Sequence, residues 1–363
     1  MRNPTLTARA AVLSGLGGWV PPRLVTNDQL AEELDTTDEW IRTRTGIRQR
    51  FVVDAGMATS GIAIEAGRRA LRSADRSRVD LVVLATSTPD HPCPATAPEV
   101  ASRLGLGDAP AFDIAAVCSG FVYALATSAT MIVSGSVDTA LVIGADSFST
   151  ILNPRDRTTR AIFGDGAGAV VLRAGEAGER GAILGFDLGS DGSQADLITV
   201  PAGGSEQRSM GLVAPEDDYF FAMQGRSIFR NAVIRMSESA GKVAERVGWS
   251  VGEIDRVIAH QANVRILHAV ALELGIPVER LVVNLDRVAN TVAASIPLAL
   301  VDGVVSGHLQ PDDHVMLCGF GGGLTWGAAG LTFPSLSVEP LPGLPLPTRP
   351  PLPAALPVPA AAR

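Results

Sequence analysis

The sequence predicts an α/β protein of layered sheets and helices, built from two related halves. Short apolar runs rich in β-formers, Asp80-Leu-Val-Val-Leu-Ala, Thr139-Ala-Leu-Val-Ile-Gly and Arg256-Val-Ile-Ala, are flanked by helical stretches, the pattern of parallel strands buried on both faces. Two of these runs have echoes. Val79-Asp80-Leu-Val-Val-Leu-Ala resembles Ile254-Asp255-Arg-Val-Ile-Ala-His, and Val137-Asp138-Thr-Ala-Leu-Val-Ile-Gly resembles Asp312-Asp313-His-Val-Met-Leu-Cys-Gly. Both echoes stand at one offset, since 255 − 80 and 313 − 138 each give 175. In each copy a helix follows the first strand and ends alike, at Arg103-Leu-Gly-Leu and at Glu273-Leu-Gly-Ile. A period of domain size indicates duplication and not a solenoid.

Taken in order, the apolar spacing predicts helices over 27–33, 61–73, 97–104, 119–134, 227–247, 262–274 and 296–307, with a further strand over 315–318. The halves divide as 1–178 and 179–333. From Pro334 onward ten prolines fall among thirty residues, too few backbone donors for sheet or helix, so 334–363 is expected to be an extended, mobile tail.

Composition narrows the function. A chain of 363 residues, 46% hydrophobic with 38 glycines, has ample core for a globular enzyme. A formal net charge of -8 argues against a general nucleic-acid binder, which needs clustered cations. No apolar run reaches the roughly 18 residues of a membrane span, and the N-terminus leads into no signal-like apolar segment, so a cytoplasmic protein is expected. Cys93, Cys118 and Cys318 are odd in number and far apart, which disfavours disulfides and structural zinc.

Cys118 ends Ala111-Phe-Asp-Ile-Ala-Ala-Val-Cys, where an apolar strand gives way to a long helix. Unpaired amides and the helix dipole there favour a thiolate, as a nucleophile for thioesters requires. An inert buried cysteine fits the same position equally well. His260 leaves a strand at its C-terminal edge, where ligands gather in α/β sheets, although a lone histidine is commonly structural. Asn290 sits in a small-residue turn before an apolar helix and could simply cap it. Gly319-Phe-Gly-Gly-Gly-Leu-Thr-Trp-Gly offers unobstructed backbone N–H groups, but no lysine follows and the chain continues into a strand. An oxyanion site or tight hairpin suits it better than a phosphate cradle. Phe163-Gly-Asp-Gly-Ala-Gly-Ala likewise leads into Val170-Val-Leu, so it is assigned to a turn and not to dinucleotide binding.

In this order, Thr37-Asp-Glu-Trp-Ile-Arg-Thr-Arg-Thr-Gly-Ile, the Cys118 segment, Phe163-Gly-Asp-Gly-Ala-Gly-Ala, His260-Gln-Ala-Asn-Val-Arg, Asn290-Thr-Val-Ala-Ala-Ser and Phe320-Gly-Gly-Gly-Leu-Thr-Trp-Gly resemble the ketoacyl-ACP synthase III family. The resemblance runs from Val12 to Leu331. It implies the five-layer α/β/α/β/α thiolase fold and decarboxylative Claisen condensation of an acyl-CoA with malonyl-ACP, in fatty acid or polyketide initiation. It further implies a catalytic set of Cys118, His260 and Asn290, oxyanion donors from the amides of Cys118 and Gly322, and no metal or redox cofactor. A homodimer is implied as well. By the same resemblance Trp40, Arg44 and Arg157 hold CoA, while Arg265 and Arg230 meet the acyl carrier protein; ordinary surface packing suits the CoA residues equally.

The sequence departs from the family pattern at Leu272 and Glu273, where basic residues can enlarge the carrier patch, and at Arg226, which replaces an asparagine near the pantetheine tunnel. Cys93, in His91-Pro-Cys-Pro, is a candidate pocket or surface-turn residue, and 197–210 a candidate pocket wall. A degradative thiolase would place a second cysteine where this chain has Phe320. Type III polyketide synthases usually carry proline in the glycine loop. Two alternatives remain: an acyltransferase of the same fold that passes the acyl group from Cys118 to an alcohol, amine or carrier thiol without decarboxylation, and a non-catalytic partner subunit or acyl-binding module that keeps the fold.

Overall fold

The structure is a computed structural model that describes residues 8–345. The first half opens with β1 (Arg9–Trp19), β2 (Arg23–Thr26), α1 (Asn27–Glu33), α2 (Asp38–Thr45), β3 (Gln49–Val52), α3 (Thr59–Ser73) and β4 (Val82–Ala85). It continues through α4 (Ala97–Arg103), β5 (Ala111–Ile114), α5 (Gly120–Val133), β6 (Thr139–Asp146), α6 (Arg157–Arg160) and β7 (Gly166–Glu176). The second half carries β8 (Ile183–Ser190), β9 (Ile198–Thr199), α7 (Ser205–Ser209), β10 (Ala222–Met223), α8 (Gly225–Val247), β11 (Arg256–Ala259), α9 (Val264–Leu274), α10 (Leu285–Val288), α11 (Ser295–Val305), β12 (His314–Gly321) and β13 (Thr325–Thr332).

Two large sheets result, ordered β1-β7-β6-β4-β5 and β11-β12-β13-β8, beside the two-stranded pairs β2-β3 and β10-β9. The duplication is visible in their register. Adding 175 to both members of the parallel pair Val82↔Leu141 gives Val257↔Met316, which is the register of β11 on β12. The strand starts repeat too: Asp80 accepts from the Thr139 N–H at 2.9 Å, and Asp255 accepts from the His314 N–H at 2.9 Å. Where β5 lies beside β4, the second half keeps only the isolated parallel bridge Val257↔Leu281.

Helices α5 and α11 are apolar on nearly every side, because both lie between the sheets: α5 packs on β6, β4, β12 and β13, and α11 on β7, β1 and β11. Helix α3 covers the outer face of the first sheet and α8 that of the second, completing the five layers of the thiolase fold. Among the described residues no helix is long and apolar enough to cross a membrane.

Residues 334–345 differ from the expected mobile tail. Leu341 is buried over Gly18, Pro340 accepts a hydrogen bond from Arg69, and Glu339 pairs with Arg72 at 2.8 Å. Spaced leucines among the prolines supply apolar contacts that need no backbone ladder, so an extended segment can still pack. The remainder of the 334–363 segment lies outside the described residues.

Candidate active site

Cys118 lies in a 3-10 turn, Val117–Ser119, between β5 and α5, so the sulfur arrives at the N-terminal end of a helix as the sequence suggests. Val117 holds φ at 45°, costly for a β-branched residue. The hairpin joining β12 to β13 passes so close that a Cβ on Gly321 would stand 2.6 Å from the Cys118 nitrogen. Gly322 follows at the hairpin tip, and its carbonyl accepts from Thr325 at 2.9 Å.

The expectation of a favoured thiolate is corrected. Burial first, and the negative charge of Asp146 second, push the Cys118 thiol well above its ordinary range, while its own backbone N–H pulls the other way. A helix end lowers a thiol most where water can also reach it, and Cys118 is only 8% exposed. Cys318 is fully buried inside β12, its thiol pushed up to about 12 by burial.

His260 follows β11, with its backbone N–H on Cys318 O at 2.8 Å. Burial pulls its pKa down to about 3, so the ring is neutral near pH 7. Its Nδ1 lies 2.7 Å from the hydroxyl of Ser295, itself 1% exposed, and that contact is the hydroxyl's hydrogen bond. A buried hydroxyl proton needs an acceptor, so Ser295 donates to Nδ1 and the ring proton resides on Nε2.

Asn290 enters from the second half but is held by the first. Its N–H donates to Ile162 O and its carbonyl accepts from Gly164 N–H, both at 3.0 Å. The segment assigned from sequence to a simple turn therefore seats this residue. A Cβ on Gly164 would lie 2.9 Å from Val288 O, which is why glycine is required there. The next residue, buried Asp165, accepts from the backbone N–H groups of Val53 and Ser149. Asn290 Oδ1 accepts from Val292 N–H at 2.9 Å, which orients the amide and leaves its NH₂ to donate elsewhere.

Cys118, His260 and Asn290 line one cavity of about 230 Å³. Its wall is apolar, with Phe148, Phe163 and Phe221 in mutual ring contact at centroid distances of 4.6 to 5.2 Å. From 197–210, Ile198 lines the cavity, whereas Met210 is exposed and Cys93 sits on an exposed loop away from it.

Trp40 is presented by α2, whose Thr37 cap accepts from the Trp40 N–H and whose end is turned by Gly46 at φ 83°. The guanidinium groups of Arg44 and Arg157 lie over its ring at 4.7 and 5.4 Å, and Arg157 also pairs with Asp35 at 3.1 Å. Arg230 and Arg226 are exposed on α8, as are Leu272 and Glu273 on α9. Arg265 is half-buried and donates to Thr43 O at 2.9 Å, joining α9 to α2 rather than projecting into solvent.

Two site residues escape the sequence reading. Ser295 stands inside the Asn290 string but shows its role only through the histidine it meets. Asp146 ends β6, in the same sheet as the β5 strand that leads to Cys118, and its counterpart at 146 + 175 is Gly321, a break in the internal echo that could have marked it.

The family model "3-Oxoacyl-[acyl-carrier-protein (ACP)] synthase III" matches residues 112–192, and the model of that family's C-terminal part matches 244–333. The chain is 58% identical over 328 residues to beta-ketoacyl-[acyl-carrier-protein] synthase III 5 of Streptomyces coelicolor, covering 90% of this chain and 98% of that one. It is 54% identical over 329 residues to beta-ketoacyl-[acyl-carrier-protein] synthase III of Pseudomonas aeruginosa, with the same shares covered. The crystal structure of a 3-oxoacyl-(acyl carrier protein) synthase III from Pseudomonas aeruginosa superposes with a TM-score of 0.85 at 51% identity, over 90% of this chain and 99% of that chain. A priming beta-ketosynthase of a polyketide biosynthetic pathway gives a TM-score of 0.83 at 31% identity, over 92% and 98%. With a cysteine, a neutral histidine and an oriented asparagine around one apolar cavity of a thiolase fold, the chain belongs to the beta-ketoacyl-[acyl-carrier-protein] synthase III family of condensing acyltransferases.

Proposed function

We propose that the chain transfers an acyl group from an acyl-CoA to Cys118 and condenses it with malonyl-ACP to give a 3-oxoacyl-ACP. The observation that carries this reading is a pair of polar side chains on the wall of the Cys118 cavity: Ser295 occupies His260 Nδ1, which leaves Nε2 to the cavity, and Val292 occupies Asn290 Oδ1, which leaves the NH₂. Two donors aimed at one cavity suit the enolate oxygen that forms when a malonyl thioester loses CO₂. A non-decarboxylating acyl transfer gives the asparagine no such task.

In the first half-reaction the Cys118 sulfur attacks the thioester carbonyl, the amides of Cys118 and Gly322 receive the developing oxyanion, and the thiol proton leaves with CoA as its free thiol. In the second, CO₂ departs, the enolate held by His260 and Asn290 attacks the acyl-Cys carbonyl, and the Cys118 thiolate takes up a proton. The carbanion equivalent comes from decarboxylation, so the chemistry balances without a redox cofactor. Trp40 and Arg157 would clasp the CoA adenine, with Arg44 near a phosphate. The exposed Arg230 would meet the acidic carrier, and Arg265, tied to α2, would form the edge of that surface. A homodimer belongs to this reading: β5 pairs on one side only, which suits a second copy of the same strand.

The test is intact mass after incubation with short, branched and aromatic acyl-CoAs, followed by CO₂ release from malonyl-ACP. An acyl adduct absent from Cys118→Ala, with CO₂ released only from active chain, is expected. No adduct with any acyl-CoA would sink the reading, and acyl transfer without CO₂ would favour the acyltransferase alternative.

A further inference from the structure

Asp146 closes β6 inside the protein, 0% exposed, and its carboxylate reaches into both halves. Oδ1 accepts from Ser87 N–H at 2.7 Å and from the hydroxyls of Thr86 and Thr88 at 3.3 and 3.2 Å, all in the segment after β4. Oδ2 accepts from Ala293 N–H at 3.0 Å, in the turn that follows Asn290. Among the described residues this is the one side-chain hydrogen bond from the first half to residues 291–294.

The turn needs such a hold. Ala289 and Val292 sit at φ 62° and 53°, left-handed values that non-glycine residues avoid, and they flank Asn290 on both sides. Strained backbone persists only where its surroundings fix it. Asn290 Oδ1 is itself bonded to the N–H of Val292, the residue before Ala293, so a movement of the turn would turn the asparagine amide.

We propose that Asp146 is a positioning residue for condensation: anchored in the Cys118 half, it clamps the strained turn of the other half so that the Asn290 amide faces the cavity. It touches no substrate in this role. The inference rests on the function proposed above, and predicts an effect on one half-reaction only. Among the described residues the Asp146 carboxyl bonds Thr86, Ser87, Thr88 and Ala293 and makes no hydrogen bond to the Val117–Ser119 turn, so its replacement leaves the Cys118 seat intact and acylation is not slowed.

The test is Asp146→Asn, a change that leaves one oxygen where two now accept from opposite sides, Oδ1 from Ser87 and Oδ2 from Ala293. Acylation of Cys118 by acetyl-CoA, isobutyryl-CoA and benzoyl-CoA is timed by intact mass, and CO₂ release is timed with carboxyl-labelled malonyl-ACP. Expected is a fall of about 10- to 100-fold in kcat for CO₂ release, KM for malonyl-ACP within about twofold, and acylation no slower than in the parent. Asp146→Asn combined with Asn290→Ala should release CO₂ no more slowly than Asn290→Ala alone, since the aspartate acts through the asparagine. Parallel loss of both half-reactions, no loss in either, or additive losses in the double variant would each overturn the clamp. If the parent chain itself releases no CO₂, it is the proposed function that fails.

Discussion

Replacing Ser295 with alanine removes the one group that fixes the proton of His260. The Ser295 hydroxyl lies 2.7 Å from Nδ1 in a fully buried setting, so Ser295→Ala leaves an imidazole nitrogen without a partner and the two tautomers free to compete. A net hydrogen bond of this kind contributes about 1 to 1.5 kcal/mol, roughly a tenfold bias toward the Nε2–H form. With the bias gone, a sizeable share of molecules carries the proton on Nδ1 and offers the enolate a lone pair instead of a donor. Loss of ring alignment adds to this, bounded by the roughly 10² to 10³ in rate that a whole oxyanion donor supplies. A tenfold bias that becomes an even split lowers the Nε2–H share from about 90% to about 50%, so CO₂ release should fall at least about twofold and, with misalignment, up to about 50-fold, while acylation of Cys118, which does not use this donor, is unchanged. Single-turnover acylation by intact mass and steady-state CO₂ release measure the two separately. Unchanged CO₂ release in a folded, acylated Ser295→Ala chain would refute the tautomer argument.

Acid should weaken the fold through His260. Its folded pKa, about 3, lies below the unfolded value near 6.5, so the unfolded chain binds the extra proton between those limits and this residue makes stability fall as pH drops below 6.5. Chemical denaturation at pH 6 and pH 4 should show His260→Gln gaining on the parent by about 1.4 kcal/mol per pH unit; a constant difference would contradict the buried neutral ring. Gly321→Ala should abolish acylation by at least about 10²-fold, because the added Cβ falls 2.6 Å from the Cys118 nitrogen, and intact mass reads the missing adduct. Leu341→Ala should lower stability by about 2 kcal/mol in urea titration, whereas Glu339→Gln should lower it by less than about 1, since Glu339 and its closer partner Arg72 are both solvent-exposed.

Most of the scaffold is legible in the chain. The predicted helices match α1, α3, α4, α5, α8, α9 and α11 to within two residues at each end; all but α1, where Leu30 is the one large buried apolar side chain, present an apolar stripe or are apolar throughout. Strand β1 escapes, since Arg9–Trp19 mixes leucine and valine with three glycines and shows neither alternation nor a clean apolar run. Helix α2 escapes as well, being only eight residues long with Ile41 its one large buried apolar side chain.

The sequence by itself determined the duplication, the three cavity-lining reactive side chains and the strings that carry them, because apolar period and local motif are properties of neighbouring residues. Only the tertiary structure decided the electrostatics. Whether Cys118 ionises depends on a desolvated pocket and on Asp146, and the His260 proton depends on a serine 35 residues away. The seat of Asn290 depends on Ile162 and Gly164 across the chain, and on a carboxylate 147 residues from the amide it accepts. Such contacts are set by how two sheets and two buried helices stack, and a buried hydrogen bond leaves no periodicity for a sequence to display.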